Sequence, residues 1–265
     1  MRVASWNINS VRIRIDLVKR FVDIYNPDIL CLQEIKVEDN LYPQSAFGEM
    51  GFKYHQIFGQ KSYHGVSIHS KFPIISSEKK YWCNKTDSRH LKVSLDNSVD
   101  IHNFYVPAGG DMPDPQENEK FAHKLDFLKR MEGWSKKIDK SKASILLGDL
   151  NVAPLETDVW SHKQLIKIVS HTPLEVSLLN KIRDVVWIDA IREIIPNDQK
   201  LYSWWSYRSP NWEKANKGRR LDHLWITPPL RKTLVNAFVA KSVRGWTKPS
   251  DHAPIVADFD WTPSV

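Results

Sequence analysis

Short apolar runs separated by longer mixed segments organise this chain, and the apolar positions follow two periods. Residues 2–8 (RVASWNI), 28–33 (DILCLQ), 64–69 (HGVSIH), 90–95, 99–106 (VDIHNFYV), 143–148 (ASILLG), 220–226 (RLDHLWI) and 254–259 (PIVADF) are rich in Val, Ile, Leu and aromatic residues, and they predict half- or fully buried β-strands. Between the first two, Val11, Ile15, Val18, Phe21, Val22 and Tyr25 recur at helical spacing and predict a helix over 11–25. Residues 116–139 and 174–194 read the same way, and Pro27 and Pro196 fall where two of these patterns stop. No Gly/Ser-rich linker, low-complexity tract or short repeat interrupts the alternation. The 265 residues therefore read as one layered α/β or α+β domain spanning 1–265. Periodicity leaves open how the sheets pack.

Composition narrows the setting. Lys plus Arg total 38 against 31 for Asp plus Glu, a formal charge of +7, which suits a polyanionic partner such as nucleic acid or an anionic membrane surface. Two cysteines, Cys31 and Cys83, are too few for a disulfide framework, and Cys31 reads as a small buried residue inside DILCL. No apolar run reaches the roughly 20 residues that span a bilayer. The opening MRVASWNINS lacks the basic and apolar regions of a signal peptide. The expectation is a soluble protein working in a reducing cytoplasm.

The chemistry-bearing residues gather at strand ends. Asn7 and Asn9 lie two apart at the close of the first strand and face one way if the strand continues; the plain alternative is that Asn ends strands and starts turns. Glu34 follows DILCLQ, where a carboxylate is either solvated or an oxygen ligand for a hard cation such as Mg²⁺. In GDLNVAP (148–154) the spacing sends Asp149 and Asn151 to one side while Leu150 returns to the core, a carboxylate and an amide fit to activate water and hold a phosphoryl oxygen. Asp222 and His223 alternate across a strand, and Asp251 and His252 precede the last strand, where a helix- or strand-cap role competes with a catalytic one. The accumulation of such groups in one chain supplies a metal ligand set, an acid/base and amide donors together.

WNINSVR, LQEIKV, YHGVSI, NFYVP, GDLNVAP, SWWSYR, GRRLDHLWIT and KPSDHAPIV occur in the order of the exonuclease III / abasic-site endonuclease family, and the resemblance runs from residue 1 to about 260. Asp-x-Asn and Ser-Asp-His are shared across the wider endonuclease/exonuclease/phosphatase superfamily; the ordered set is specific, and SWWSYRSPNWEKANKGRRLDHL resembles the bacterial abasic-endonuclease branch. The resemblance implies a four-layer α/β sandwich, two central sheets flanked by helices. It implies a nuclease that uses Mg²⁺ or Mn²⁺ to cut double-stranded DNA on the 5′ side of abasic sites. A 3′→5′ exonuclease and 3′-end-cleaning activity commonly goes with it. A monomer in a bacterial-type cytoplasm, working on the nucleoid, fits this reading.

Carried over position by position, the resemblance makes Glu34 the principal metal ligand, with Asp251, Asn9 and Asn7 around the metal. Asp149 is the acid/base, Asn151 and Asn7 fix Asp149 and the phosphate, and His252 pairs with Asp222 and binds the scissile phosphate. Tyr105 aims its phenol at the same phosphate. One-metal and two-metal arrangements stay open, the second metal falling on Asp149, Asn151 and His252. Arg12, Lys36, Arg208 and Arg220 are expected at the DNA, as are Arg14, Lys61, Lys217 and Arg219. Trp204 and Leu221 line a pocket for an extruded abasic sugar, and Trp212 wedges into the base stack; Trp205 and Tyr207 read as packing. Two departures stand out: Asp111 and Asp114 occupy a loop where some relatives are basic, and Arg219 replaces an aromatic or small residue before Arg-Leu-Asp. Competing readings are another phosphoesterase of the superfamily, acting on inositol phosphate, lipid or RNA, and a DNA-binding relative without catalysis.

Overall fold

The computed structural model describes residues 1–96, 98–209 and 211–261. Pro210 of the aromatic segment and residues 262–265 of the expected domain lie outside the described residues. Two six-stranded mixed sheets form the centre. Sheet A is built from β1 (Arg2–Asn7), β2 (Ile29–Gln33), β3 (Tyr54–Phe58), β4 (Val66–Ser70), β13 (Leu234–Val239) and β14 (Ile255–Phe259), in the order β13-β14-β1-β2-β4-β3. Sheet B is built from β5 (Ile74–Lys80), β6 (His90–Leu95), β7 (Asp100–Tyr105), β8 (Ser144–Asp149), β9 (Ile188–Asp189) and β12 (Asp222–Ile226), in the order β5-β6-β7-β8-β12-β9. At the middle of each sheet one pair runs parallel, β1 with β2 and β7 with β8. A short ribbon of β10 (Trp204–Trp205) and β11 (Gly218–Arg219) lies outside both.

Strand alternation builds the layers. Val3, Ile29, Cys31 and Ile68 of sheet A meet Ile101, Ile145, Leu147 and Leu224 of sheet B in the central core. The residues between them point outward. Ala4, Trp6, Leu30 and Leu32 pack under α1 (Ile15–Tyr25) and α2 (Gln44–Glu49) through Val18, Phe21 and Phe47. Phe104, Leu146 and Trp225 pack under α3 (Glu119–Ser135) and α5 (Pro173–Val186) through Phe127, Leu128, Met131, Leu179 and Ile182. The result is the four-layer α/β sandwich. Short helices α4 (His162–Leu165), α6 (Ala190–Ile194), α7 (Trp212–Ala215) and α8 (Pro228–Arg231) fill the connections.

All eight expected strands are present, with ends shifted by a residue or two; the run at 64–69 becomes Val66–Ser70. The helix expected over 11–25 starts only at Ile15. The one expected over 116–139 is trimmed to 119–135 by its Asn118 cap, whose side chain accepts from the Lys120 and Phe121 amides. The stretch 174–194 is not one helix. Thr172 and Glu175 form a capping box that starts α5 at Pro173, and the chain extends at Trp187 so that Ile188 and Asp189 pair with β12 before α6 begins. Strands β3, β5 and β13 escape the apolar pattern because they lie at the sheet edges, with polar side chains toward solvent; IISSEKK of β5 is mostly exposed.

Gly148, one residue before the end of β8, has φ +131, and a Cβ there would fall on the Phe104 carbonyl oxygen of the parallel neighbour β7. Gly148→Ala is expected to destabilise the fold by at least about 2 kcal/mol, through backbone strain and loss of close strand approach. Chemical denaturation measures it, and a variant of wild-type stability would show that the close approach is not required.

Candidate active site

Parity decides what the inner faces carry at one end of the sandwich. Along β1 the inward positions run Val3, Ser5, Asn7; along β7 they run Ile101, Asn103, Tyr105; along β8, Ile145, Leu147, Asp149. Strand β12 enters the same end antiparallel, so its inward series runs Ile226, Leu224, Asp222, with Asp222 opposite Asp149. Apolar at the core, the inner face turns polar over the last one or two positions of each strand. A layer of amides separates the two zones. Gln33 Nε2 donates to Ser5 Oγ (3.0 Å) and Asn103 Oδ1 (2.7 Å), and Asn103 Nδ2 donates to the Leu32 (3.0 Å) and Ser67 (2.9 Å) carbonyls, tying sheet B to sheet A.

Beyond this layer the expected residues converge. The Asn7 amide Nδ2 donates to Glu34 Oε1 and to Asp149 Oδ2, both at 2.9 Å. Tyr105 OH donates to Glu34 Oε1 (2.9 Å), and the Asn151 backbone N–H donates to Asp149 Oδ1 (3.0 Å). His252 Nδ1 bonds Asp222 Oδ2 at 2.8 Å, and its Nε2 stands 3.7 Å from Asp149 Oδ2. Glu34, Asn151 and Asn9 adopt left-handed backbone (φ +49, +54 and +48), which turns each away from its strand toward the cleft.

The charges are set by burial against pairing. Burial pushes His252 down, but the carboxylates of Asp222 and Asp149 outweigh it and raise its pKa to about 10. Asp149 moves to about 7, raised first by burial, with His252 opposing and Asp222 adding. Burial also favours protonation of Glu34, yet Lys36 and the Asn7 amide hold it below the usual carboxylate range. Tyr105 is driven well above 10 by burial and by the charges of Glu34 and Asp149, so it remains a neutral donor. Near neutrality the cleft holds an imidazolium clamped between two aspartates, and beside it an ionised Glu34.

Oxygen donors suited to a hard divalent cation lie at Glu34, Asn9 and Asp251. Lys36 Nζ sits 2.8 Å from Glu34 Oε2 and 2.6 Å from Asn9 Oδ1, so these oxygens already converge on one positive group. Asn9 Nδ2 lies 3.3 Å from Asp251 Oδ1, and Trp204 Nε1 holds Asp251 Oδ2 at 2.9 Å. The donor set fits a cation there. Among the His, Cys, Asp and Glu side chains of the described residues, a second set with metal-ligand spacing is Asp149, Asp222 and His252, two of which the resemblance also placed at a second metal. Asn151 Nδ2 donates to the Val106 carbonyl (2.9 Å), and the amide oxygen, not this nitrogen, is the atom that would ligate a metal.

Among the expected DNA contacts, Arg12, Arg208, Lys61 and Lys217 are exposed. Lys36 faces the cleft in its ion pair with Glu34. Arg220 does not reach any surface: it is 1% exposed, donating to Asp158 Oδ1 (2.9 Å) and Oδ2 (3.0 Å) and to Asp189 Oδ2 (2.6 Å). It is a buried brace between the 155–158 turn and β9. Arg14 reaches the Asn9 carbonyl and Tyr207 OH, and Tyr207 OH donates to the Pro249 carbonyl (2.8 Å); Tyr207 is thus an exposed rim residue, whereas Trp205 is core. Trp212 is half-buried. It packs edge-on against Trp205 at 5.2 Å, with the Arg244 guanidinium 5.1 Å from its ring. Leu221 packs with Trp204, Trp160 and Val159, and the Arg219 guanidinium covers Trp204 at 5.4 Å while bonding the Val169 carbonyl and Ser170 Oγ. His223 faces outward, burial lowers its pKa to about 3, and it bonds the Val152 carbonyl. Asp114 accepts from the Gln116 amide and shapes its own turn.

Three residues were not read from the sequence. Ser203 Oγ donates to Asp222 Oδ2 (2.6 Å) and accepts from the Leu221 and Asp222 amides, fixing the His252 partner. Lys124 and Glu175 form a fully buried ion pair (2.5 Å), and Lys124 Nζ also holds the Asn151 carbonyl (2.7 Å). Glu175 accepts in turn from the Ser170 and Thr172 amides, so the pair joins α3 and α5 to the loop that carries Asn151. A signal for Lys124 existed: it lies three residues after Phe121 and four before Leu128, on the apolar stripe of α3.

The sequence profile of the Endonuclease/Exonuclease/phosphatase family matches residues 4–252. Exodeoxyribonuclease III of Haemophilus influenzae is 28% identical over 272 residues, covering 98% of this chain and 100% of that protein. An AP endonuclease from Archaeoglobus fulgidus superposes with a TM-score of 0.91 at 30% identity, covering 98% of this chain and 99% of the other. The 3′ phosphatase NExo from Neisseria, bound to a product DNA hairpin, gives 0.91 at 26% identity, covering 98% and 100%.

The histidine clamp has a measurable signature. A raised imidazole pKa contributes stability that is complete below the unfolded value near 6.5. That contribution is lost as pH rises through about 10. In Asp222→Asn, NMR titration of His252 is expected to give a midpoint well below 10, and the stability lost on alkalinisation is correspondingly smaller and complete at a lower pH. A His252 midpoint unmoved by that substitution would remove Asp222 as its determinant.

Proposed function

The chain belongs to the endonuclease/exonuclease/phosphatase family, and within it we propose a DNA-repair nuclease that hydrolyses the phosphodiester 5′ to abasic sites and also trims 3′ ends. The observation that supports it best is the single Asn7 amide spanning Glu34 and Asp149, with the His252 imidazolium 3.7 Å beyond. That arrangement sets a cation-binding carboxylate, a base and a phosphate-binding cation around one space.

In this reading Asp149, held by Asn7 and the Asn151 amide, orients a water molecule and takes its proton as the water oxygen attacks phosphorus; the bond from phosphorus to the 3′ oxygen breaks. Its pKa near 7 suits a base that works near neutrality. His252, kept protonated by Asp222, donates to a non-bridging phosphoryl oxygen, where charge grows in the transition state. Tyr105, a neutral phenol, donates to the same phosphate. Mg²⁺ or Mn²⁺ is the proposed divalent cation, held by Glu34 with Asn9 and Asp251, and when bound it neutralises charge on the phosphate and the leaving oxygen. Asn7 bridges the two carboxylates and keeps their spacing. Arg12, Arg208, Lys61 and Lys217 contact backbone phosphates of duplex DNA. A monomer suffices, because every group named comes from one chain.

Arg219 bears on the balance of activities. Its guanidinium lies over Trp204 beside Leu221, where the resemblance puts the abasic sugar. A cation there favours an anionic 3′ terminus over a neutral extruded sugar. Arg219→Ala is expected to raise abasic cleavage relative to 3′-phosphate removal, measured as the ratio of kcat/KM on the two substrates; an unchanged ratio excludes Arg219 as the selector.

Product mapping on end-labelled abasic and intact duplexes with Mg²⁺, Mn²⁺ or EDTA tests the whole reading. Incision 5′ to the lesion with either metal and none in EDTA is expected. Asp149→Asn is expected to lose about 10²–10⁴-fold in kcat while DNA binding persists. Cleavage of inositol polyphosphate in preference to the abasic duplex would reassign the substrate.

A further inference from the structure

A cavity of about 550 Å³ lies away from the cleft, on the outer side of sheet B between the end of β5 and the second half of α3. Lys80, Arg130 and Lys137 line it with Tyr81, Trp82 and Trp134, and no carboxylate is among the lining residues. Its floor is rigid: Trp82 is 7% exposed and packs on Phe104 and Phe127, and Trp134 stacks on Trp187. Its rim is open, with Tyr81 57% exposed. Lys80 lies 5.3 Å over the Trp82 ring. Arg130 forms an ion pair with Asp126 one helical turn back on the exposed face of α3.

Two features mark the cavity as shaped. Gly133 lies inside α3, where glycine weakens a helix relative to alanine. A Cβ at this position would meet nothing within 4 Å, so packing does not demand the glycine, and its effect is to leave space. The neighbouring turn carries two consecutive left-handed non-glycine residues, Cys83 (φ +57) and Asn84 (φ +54), which lead the chain around the rim.

The cavity borders the same sheet that carries Tyr105 into the cleft. Lys80 pairs with His90, and His90 with Phe104, so the Lys80 backbone lies two strand spacings, about 10 Å, from that of the residue before Tyr105. Arg89 lies between, its guanidinium 5.0 Å from the Tyr105 ring and bonded to the Tyr105 carbonyl.

We propose that this cavity is a second nucleic-acid subsite that holds a nucleotide of a single-stranded DNA segment leaving the cleft, with the base against the aromatic rings and the phosphates at Lys80, Arg130 and Lys137. Aromatic faces accept any base, and the cations track the backbone. The identity of the polymer rests on the nuclease reading above.

The test is binding in EDTA, where cleavage plays no part. Fluorescence anisotropy compares a blunt duplex with duplexes carrying a 3′ or a 5′ single-stranded tail. Gly133→Trp fills the cavity without removing a charge, and Lys80→Glu with Lys137→Glu reverses its charge at a half-buried and an exposed position, with folding checked by circular dichroism. Both variants are expected to lose about tenfold in affinity for a tailed duplex while blunt-duplex affinity holds. Equal losses on blunt and tailed duplexes, or no loss on either, overturn the proposal, as does a mononucleotide that binds the cavity as tightly as the tail. Tail binding that survives when no DNA is cleaved in Mg²⁺ would retain the subsite and dismiss the nuclease reading instead.

Discussion

The catalytic end depends on the register in which two twisted sheets face each other. Side chains alternate along a strand, so a one-residue slip of β1 between β14 and β2 would turn Asn7 into the helix layer and bring Trp6 into the cleft. The same holds for Asp149 on β8 and Asp222 on β12, which stand opposite one another. The amide layer of Gln33 and Asn103 locks that register across the sheets. Because these amides are buried and almost fully satisfied, any slip would strand several of them without partners.

Above that layer the chain gathers more negative charge than a buried cleft tolerates unaided, and it supplies its own cations. Lys36 serves Glu34, and His252 serves Asp149 and Asp222. Each partner sits where a substrate phosphate or a divalent cation would otherwise be needed to offset the carboxylates. Behind the cleft, Lys124 and Glu175 close a neutral pair, and Lys124 spends its remaining hydrogen bonds on the carbonyls of Asn151 and Ala108. The loop that carries Asn151 is therefore held by this charge pair as well as by the apolar burial of Leu150 and Val152. Removing one member would leave the other buried and unpaired, which costs more than the pair contributes.

The same residue type plays opposite parts in this chain. Arg219 and Arg220 are adjacent, yet Arg219 leans over Trp204 at the cleft and Arg220 is sealed between Asp158 and Asp189. Alternation past the end of a strand assigns them to different sides, and nothing in the dipeptide says which side holds the acids. Trp212 shows the converse: a tryptophan in a polar loop looks free to reach a partner, and the fold braces it with Trp205 and Arg244.

Local order was legible. The period-two runs located all eight strands that carry the core and the ends on which Asn7, Glu34, Asp149, Asp222 and His252 sit, because alternation is a property of neighbouring residues. The ordered motifs supplied what periodicity did not, the sandwich and the nuclease chemistry. Edge strands such as IISSEKK stayed hidden because one buried face gives too few apolar positions. The fate of Arg220, the buried Lys124–Glu175 pair, the role of Ser203 and the aromatic cavity beside Gly133 were decided only in three dimensions. Each depends on partners between 18 and 62 residues away, or on an empty volume, and pairing at that separation is set by how sheets and helices close on one another, which no local pattern encodes.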